Sequence, residues 1–240
     1  MLGIGLSWGQ DAEWAKWFEQ EHGRPPTEQE LWDHRFSRQI AGWTEPDWTV
    51  TSALRSSLFA AGITIESGDA RWTLDEVAIV EQVIHNIAQA FGGDAAPIVS
   101  GVMLKRTHAS RWPLGFAWVR CGAWEGSGIV RINDSAFARG QADHVLTHEI
   151  GHYFQESRDL IDEFLEATGG HQFDLFGIGQ FNLTPYSYGG QPPNDWSKQN
   201  GLYEDFAASF ETFVYHQVGD PIPGNVLDDR RREFFLGLGS

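Results

Sequence analysis

His148, Glu149 and His152 stand in the segment THEIGHYF in the order H-E-x-x-H. On a helix, residues i and i+4 lie one turn apart on the same face, so both imidazoles can point at one metal ion. Glu149 follows about 100° round the helix, where its carboxylate can reach a water at the metal without being a ligand itself. The chemistry this predicts is metal-assisted hydrolysis with Glu149 as general base. The surroundings agree, because the motif falls within a predicted helix from about Gln141 to Gln155 that follows a predicted strand. The two residues between Glu149 and His152 are Ile150 and the small Gly151.

A catalytic zinc site uses three protein ligands and one open position, so the third ligand decides the class. The metzincin pattern needs Gly and His soon after the motif, and those places hold Gln155 and Arg158. That class is excluded. Further on, the predicted helix YEDFAASFETF offers Glu204 and Asp205. A carboxylate on a second helix facing the first is the gluzincin arrangement, and Glu204 is the expected third ligand. Asp205 is the competitor, read otherwise as a surface acid or one that supports a ligand. His144 stands one turn before His148, but a helix cannot bring three successive i+4 imidazoles to one tetrahedral ion, so it is read as a packed or solvated residue. His22, His34, His171 and His216 have no partner spacing. The single Cys121 excludes an intramolecular disulfide and a multi-cysteine zinc site, and is read as a small core residue. One Zn²⁺ per chain is the expected cofactor.

The segment NLTPYSYGG followed by EDFAASFETFVYH, downstream of HEIGH and LIDEF, resembles the metallopeptidase domain of anthrax lethal factor and the related Pro-Pro endopeptidases. The likeness covers roughly residues 142–216. It implies a zincin-like, minigluzincin fold and zinc endopeptidase activity, with Glu204 as third zinc ligand. It also implies that Tyr188 stabilises the oxyanion, with Tyr186 as the nearby competitor. Two departures are visible. The family's acid four residues after the ligand, which hydrogen-bonds a ligand histidine, is Ala208 here. The stretch between Tyr188 and Glu204 is longer, with GGQPPNDWSKQNG as the apparent insertion, expected to form a loop over the cleft.

The elements that must position these residues can be read from caps and periodicity. Residues 1–55 read as a helical extension, with Trp14, Trp17 and Phe18 on one side of a first helix that stops at Gly23, Pro25 and Pro26. Thr27 with Glu30 marks a capping box and a second helix. GITIE, from Gly62, suggests a strand. Thr73 with Glu76 opens a helix running to Gly92 and Gly93, whose Val77, Val80, Ile84 and Ile87 share one face that would lie on a sheet. Strands are predicted from Ile98 to Lys105, Phe116 to Arg120 and Gly128 to Ile132. The last is expected to bind substrate by edge pairing. A helix is predicted from Leu160 to Ala167, before Gly169 and Gly170. This order predicts an α+β fold with a small twisted mixed sheet and a helical C-terminal subdomain, divided into an extension (1–55) and a metallopeptidase domain (56–240).

Composition bounds the alternatives. With 240 residues, 41% of them hydrophobic, and with 11 Trp and 16 Phe, the chain predicts a packed globule. A net charge of −16 without a basic stripe argues against nucleic acid. No run of 18 apolar residues and no basic n-region with an apolar core occurs, so neither a membrane span nor an encoded export signal is expected. The expected place is cytoplasmic, or outside by another route. The expected partner is a peptide or protein substrate, and the oligomeric state is open. A second reading is an interaction module whose zinc site is a structural clip or relic; the intact Glu149 favours catalysis.

Overall fold

Both capping boxes form as their spacing demands. Thr27 accepts the Glu30 N–H while Glu30 accepts the Thr27 N–H at 2.8 Å, and Thr73 and Glu76 exchange the same pair of bonds. In this computed structural model the described residues are 8–108, 122–124, 126–172, 186–187 and 190–239.

Four helices come first: α1 (Trp8–His22), α2 (Glu28–Gln39), α3 (Asp47–Val50) and α4 (Ser52–Ala60), the last running across residues 55 and 56. Phe18 of α1 is buried and Trp14 stacks on His34 of α2 at 4.3 Å, but Trp17 is 51% exposed. The three rings therefore do not share one buried side. A helix resting on a single neighbour buries a narrow stripe, and Trp17 lies about 100° round from Phe18. Trp32 and Phe36 of α2 join the same buried cluster as the sheet, and the Trp32 indole N–H donates to Ile63 O at 3.1 Å.

The sheet is built from β1 (Thr64–Ser67), β2 (Met103–Thr107), β3 (Gly122–Trp124) and β4 (Ile129–Asn133), in the order β1-β2-β4-β3. The first three in that order are parallel, and β3 runs antiparallel to β4. The fold is thus α+β with a small mixed sheet. Helix α5 (Leu74–Ala90) follows β1 and buries Val77, Val80, Ile84 and Ile87 as its periodicity requires. Two strand expectations need correction. Ile98 and Val99 belong to a short helix, α6 (Ala96–Val99), because Pro97 suits a first helical turn; Gly101, with φ 94°, then ends it before β2 starts. And β4 is not an edge: β2 and β3 cover its two sides, leaving β3 outermost on that side among the described residues. The strand expected at Phe116 to Arg120, and Cys121, lie outside the described residues.

The remaining elements are α7 (Asp134–Ala138), α8 (Ala142–Arg158), α9 (Ile161–Thr168), the two-residue strands β5 (His171–Gln172) and β6 (Tyr186–Ser187), α10 (Asp195–Asn200), α11 (Leu202–Gln217) and α12 (Asp229–Leu238). The abundant Phe residues tie these helices together. Phe91 at the end of α5, Phe154 of α8, Phe210 of α11 and Phe235 of α12 meet in one cluster, which Phe164 and Phe206 extend to α9. Among the described residues no helix is long and apolar enough to cross a membrane.

Candidate metal centre

Helix α8 buries Leu146, Ile150 and Phe154, which sets its rotation and leaves His148 and His152 together on another face. Their rings stand 5.0 Å apart and nearly perpendicular. Helix α11 crosses α8 at Gly151, where an added Cβ would lie 3.1 Å from Ala207 Cα and 3.1 Å from Phe210 Cδ1. The missing side chain lets the two helices approach closely, and that approach brings the first turn of α11 to the imidazoles.

Glu204 sits in that turn. Its Oε2 lies 3.1 Å from His148 Nε2 and its Oε1 lies 3.7 Å from His152 Nε2. One donor atom from each of the three residues falls within 4.8 Å of the others. Ligand atoms of a tetrahedral zinc stand about 3.3 Å apart, so small adjustments of side chains would suffice to hold the ion. Electrostatics point the same way. Burial disfavours charge on His148, but Glu204 and Glu211 outweigh it and push the imidazole up to about 10. The carboxylates favour a cation among them, which a proton on His148 or a divalent ion can provide. Burial alone would raise the Glu204 carboxyl; the bonds from His148 and His152 hold it far below its ordinary value instead.

Asp205, the competing ligand, points elsewhere. It is fully buried and accepts from Arg231 Nε at 3.0 Å, with Ser209 Oγ at 3.2 Å. It is not a surface acid. Arg231 is itself fully buried and also pairs with Asp228, which caps α12.

No protein-family model, curated protein or solved structure matches this chain. The site therefore stands on its own geometry. Glu149 faces the sheet side of α8, where a Cβ at Gly122 of β3 would come within 3.3 Å of Glu149 Cγ. His148, His152 and Glu204 are thus gathered between α8 and α11, while Glu149, the next residue after His148 on α8, turns toward β3. Tyr188 lies outside the described residues, as does the side chain of Tyr186.

Two residues that sequence reasoning passed over also meet here. Glu211 carries the contact missing at Ala208: its Oε2 lies 3.4 Å from His148 Nδ1 and its Oε1 lies 3.1 Å from His144 Nδ1. His144 is accordingly a packed residue, stacked on Tyr215 and bonded to Glu211. Glu211 stands seven residues after Glu204, two turns along the same helical face, and that spacing was a usable signal. The second is Trp196, whose indole N–H donates to Glu204 Oε2 at 3.2 Å. It belongs to the stretch expected to be a loop. From Asn194 to Asn200 that stretch is a capped helix, because Asn194 accepts the Ser197 N–H at 2.9 Å and starts α10. No periodicity in the sequence connects Trp196 to Glu204.

Proposed function

We propose that this protein is a zinc-dependent endopeptidase of the gluzincin kind, as its resemblance to the lethal factor metallopeptidase domain and the Pro-Pro endopeptidases implies. The observation that carries the reading is the convergence of His148, His152 and Glu204 from two helices. His148 and His152 through their Nε2 atoms, and Glu204 through its carboxylate, would hold the ion. Zinc bound there supplies a Lewis acid that brings a water's pKa toward about 7 and polarises a peptide carbonyl. Glu149 accepts the proton of the attacking water and passes it to the leaving amine. The Trp196 N–H steadies Glu204 during this exchange. Edge strand β3 lies next to Glu149 and suits an extended peptide added by strand pairing. Tyr188, with Tyr186 as competitor, is the proposed oxyanion donor.

Zinc analysis combined with a peptide-library digest tests the reading. One zinc per chain and cleavage that disappears in Glu149→Gln, with zinc retained, are expected, because the amide keeps the shape and loses the basicity. Metal-free protein that takes up no added zinc would sink the ligand assignment. Zinc binding with no cleavage, or cleavage untouched by Glu149→Gln, would favour a structural clip in an interaction protein.

A further inference from the structure

We propose that Glu211 is the positioning residue of this centre, fixing His148 so that Nε2 faces the metal, and that His144 in turn holds Glu211 in place. The inference rests on the zinc reading above. An imidazole can ligate through either nitrogen, and the partner of the other nitrogen decides which. Here His148 Nδ1 faces Glu211 Oε2 at 3.4 Å while Nε2 faces Glu204 at 3.1 Å. The Glu211 side chain is only 13% exposed, so its carboxylate needs partners on both oxygens. His144 supplies the second, at 3.1 Å from Oε1.

His144 is immobilised as well. Its ring stacks on Tyr215 at 4.2 Å, and the Tyr215 hydroxyl donates to Asp143 Oδ2 at 3.0 Å. The chain of contacts therefore alternates between the two helices: Asp143, His144 and His148 from α8, Tyr215 and Glu211 from α11. It locks their relative rotation at the point where the ligands must meet. Ala208, nearer to Glu204 in sequence, has no polar side chain to offer, so the support comes from one helical turn further on.

The test uses the full chain and zinc alone, with affinity measured by chelator competition. Glu211→Leu is expected to weaken zinc about 10- to 100-fold, the usual cost of losing such a partner. Glu211→Gln, whose amide can accept from one imidazole and donate to the other, is expected to recover most of that loss. His144→Phe keeps the stack on Tyr215 and is expected to cost less than Glu211→Leu. A merely structural role would not order the variants in this way. Nitrogen-15 histidine spectra of the zinc-loaded parent add an independent readout: His148 is expected to keep a slowly exchanging Nδ1 proton and to bind zinc through Nε2. Zinc bound through His148 Nδ1, or Glu211→Leu binding zinc as tightly as the parent, overturns the proposal even if one variant fails to fold. A parent that binds no zinc, indistinguishable from Glu204→Ala, overturns the zinc reading and this inference with it.

Discussion

Glu204 and Asp205 are adjacent carboxylates on α11, and the roughly 100° between successive side chains sends one to the histidines and the other into the core. Their substitutions should therefore fail differently. Glu204→Ala is expected to lose most of the zinc while the fold remains. Asp205→Ala is expected to keep the zinc stoichiometry of its folded fraction but to lower stability by about 3 kcal/mol, because the buried Arg231 loses the carboxylate that pairs with its Nε and Nη2. Zinc analysis and urea unfolding on the same preparations check both. If Asp205→Ala were the variant that lost zinc, the register of α11 at the site would be off by one residue.

At the level of elements, the α8–α11 contact at Gly151 sets the geometry. Gly151→Ala adds a methyl 3.1 Å from Ala207 Cα, a backbone atom that cannot swing aside. The substitution gains about 1 kcal/mol of helix propensity but incurs about 1–3 kcal/mol of overpacking. The strain should win, so a small net loss of stability is expected. The more telling effect is on zinc affinity, since any outward shift of α11 carries Glu204 away from His148 and His152. Thermal unfolding and chelator competition measure the two. An unchanged zinc affinity would mean that the helices have slack at this crossing. Strand β3 depends on a similar device: at Gly122 a Cβ would meet Val145 Cγ1 at 2.5 Å, so the edge can lie against α8 only without a side chain there.

At the scale of the whole molecule, one of the groups that hold α1 to α2 titrates. Its Trp14 stacks on His34, and its Asp11 pairs with Arg35 at 2.8 Å and with Arg38. Burial, with help from Arg38 and Arg35 and against the pull of Asp11, holds the His34 pKa below its ordinary 6.5. Above about pH 7.5 the ring is neutral whether folded or not, and it contributes no pH dependence. As the pH falls through 6.5 the unfolded chain takes up the proton first, so stability is lost until the folded-state pKa is also passed. The expected result is a urea midpoint that falls between about pH 7.5 and pH 5, and falls less in His34→Phe, which keeps a ring on Trp14. Equal slopes in the two proteins would remove His34 as the cause.

Much of the active helix was legible because its signals are local. The spacing of His148, Glu149 and His152, the capping boxes at Thr27 and Thr73, and the apolar face of α5 all depend on residues within a few turns of one another, where 3.6-residue geometry dictates who shares a face. The α+β class followed from the longer helices and the strands that begin at Thr64, Met103 and Ile129. What the tertiary structure alone decided are contacts between residues far apart in the chain. Glu204 meets His148 across 56 residues, and its choice over Asp205 depends on how α11 is rotated, which the phenylalanine cluster and the Arg231 ion pair set together. The same holds for Glu211 and His144, 67 residues apart, and for β3, whose pairing made it the edge in place of β4. Local periodicity says which side chains lie on one face of an element; only packing says what that face meets.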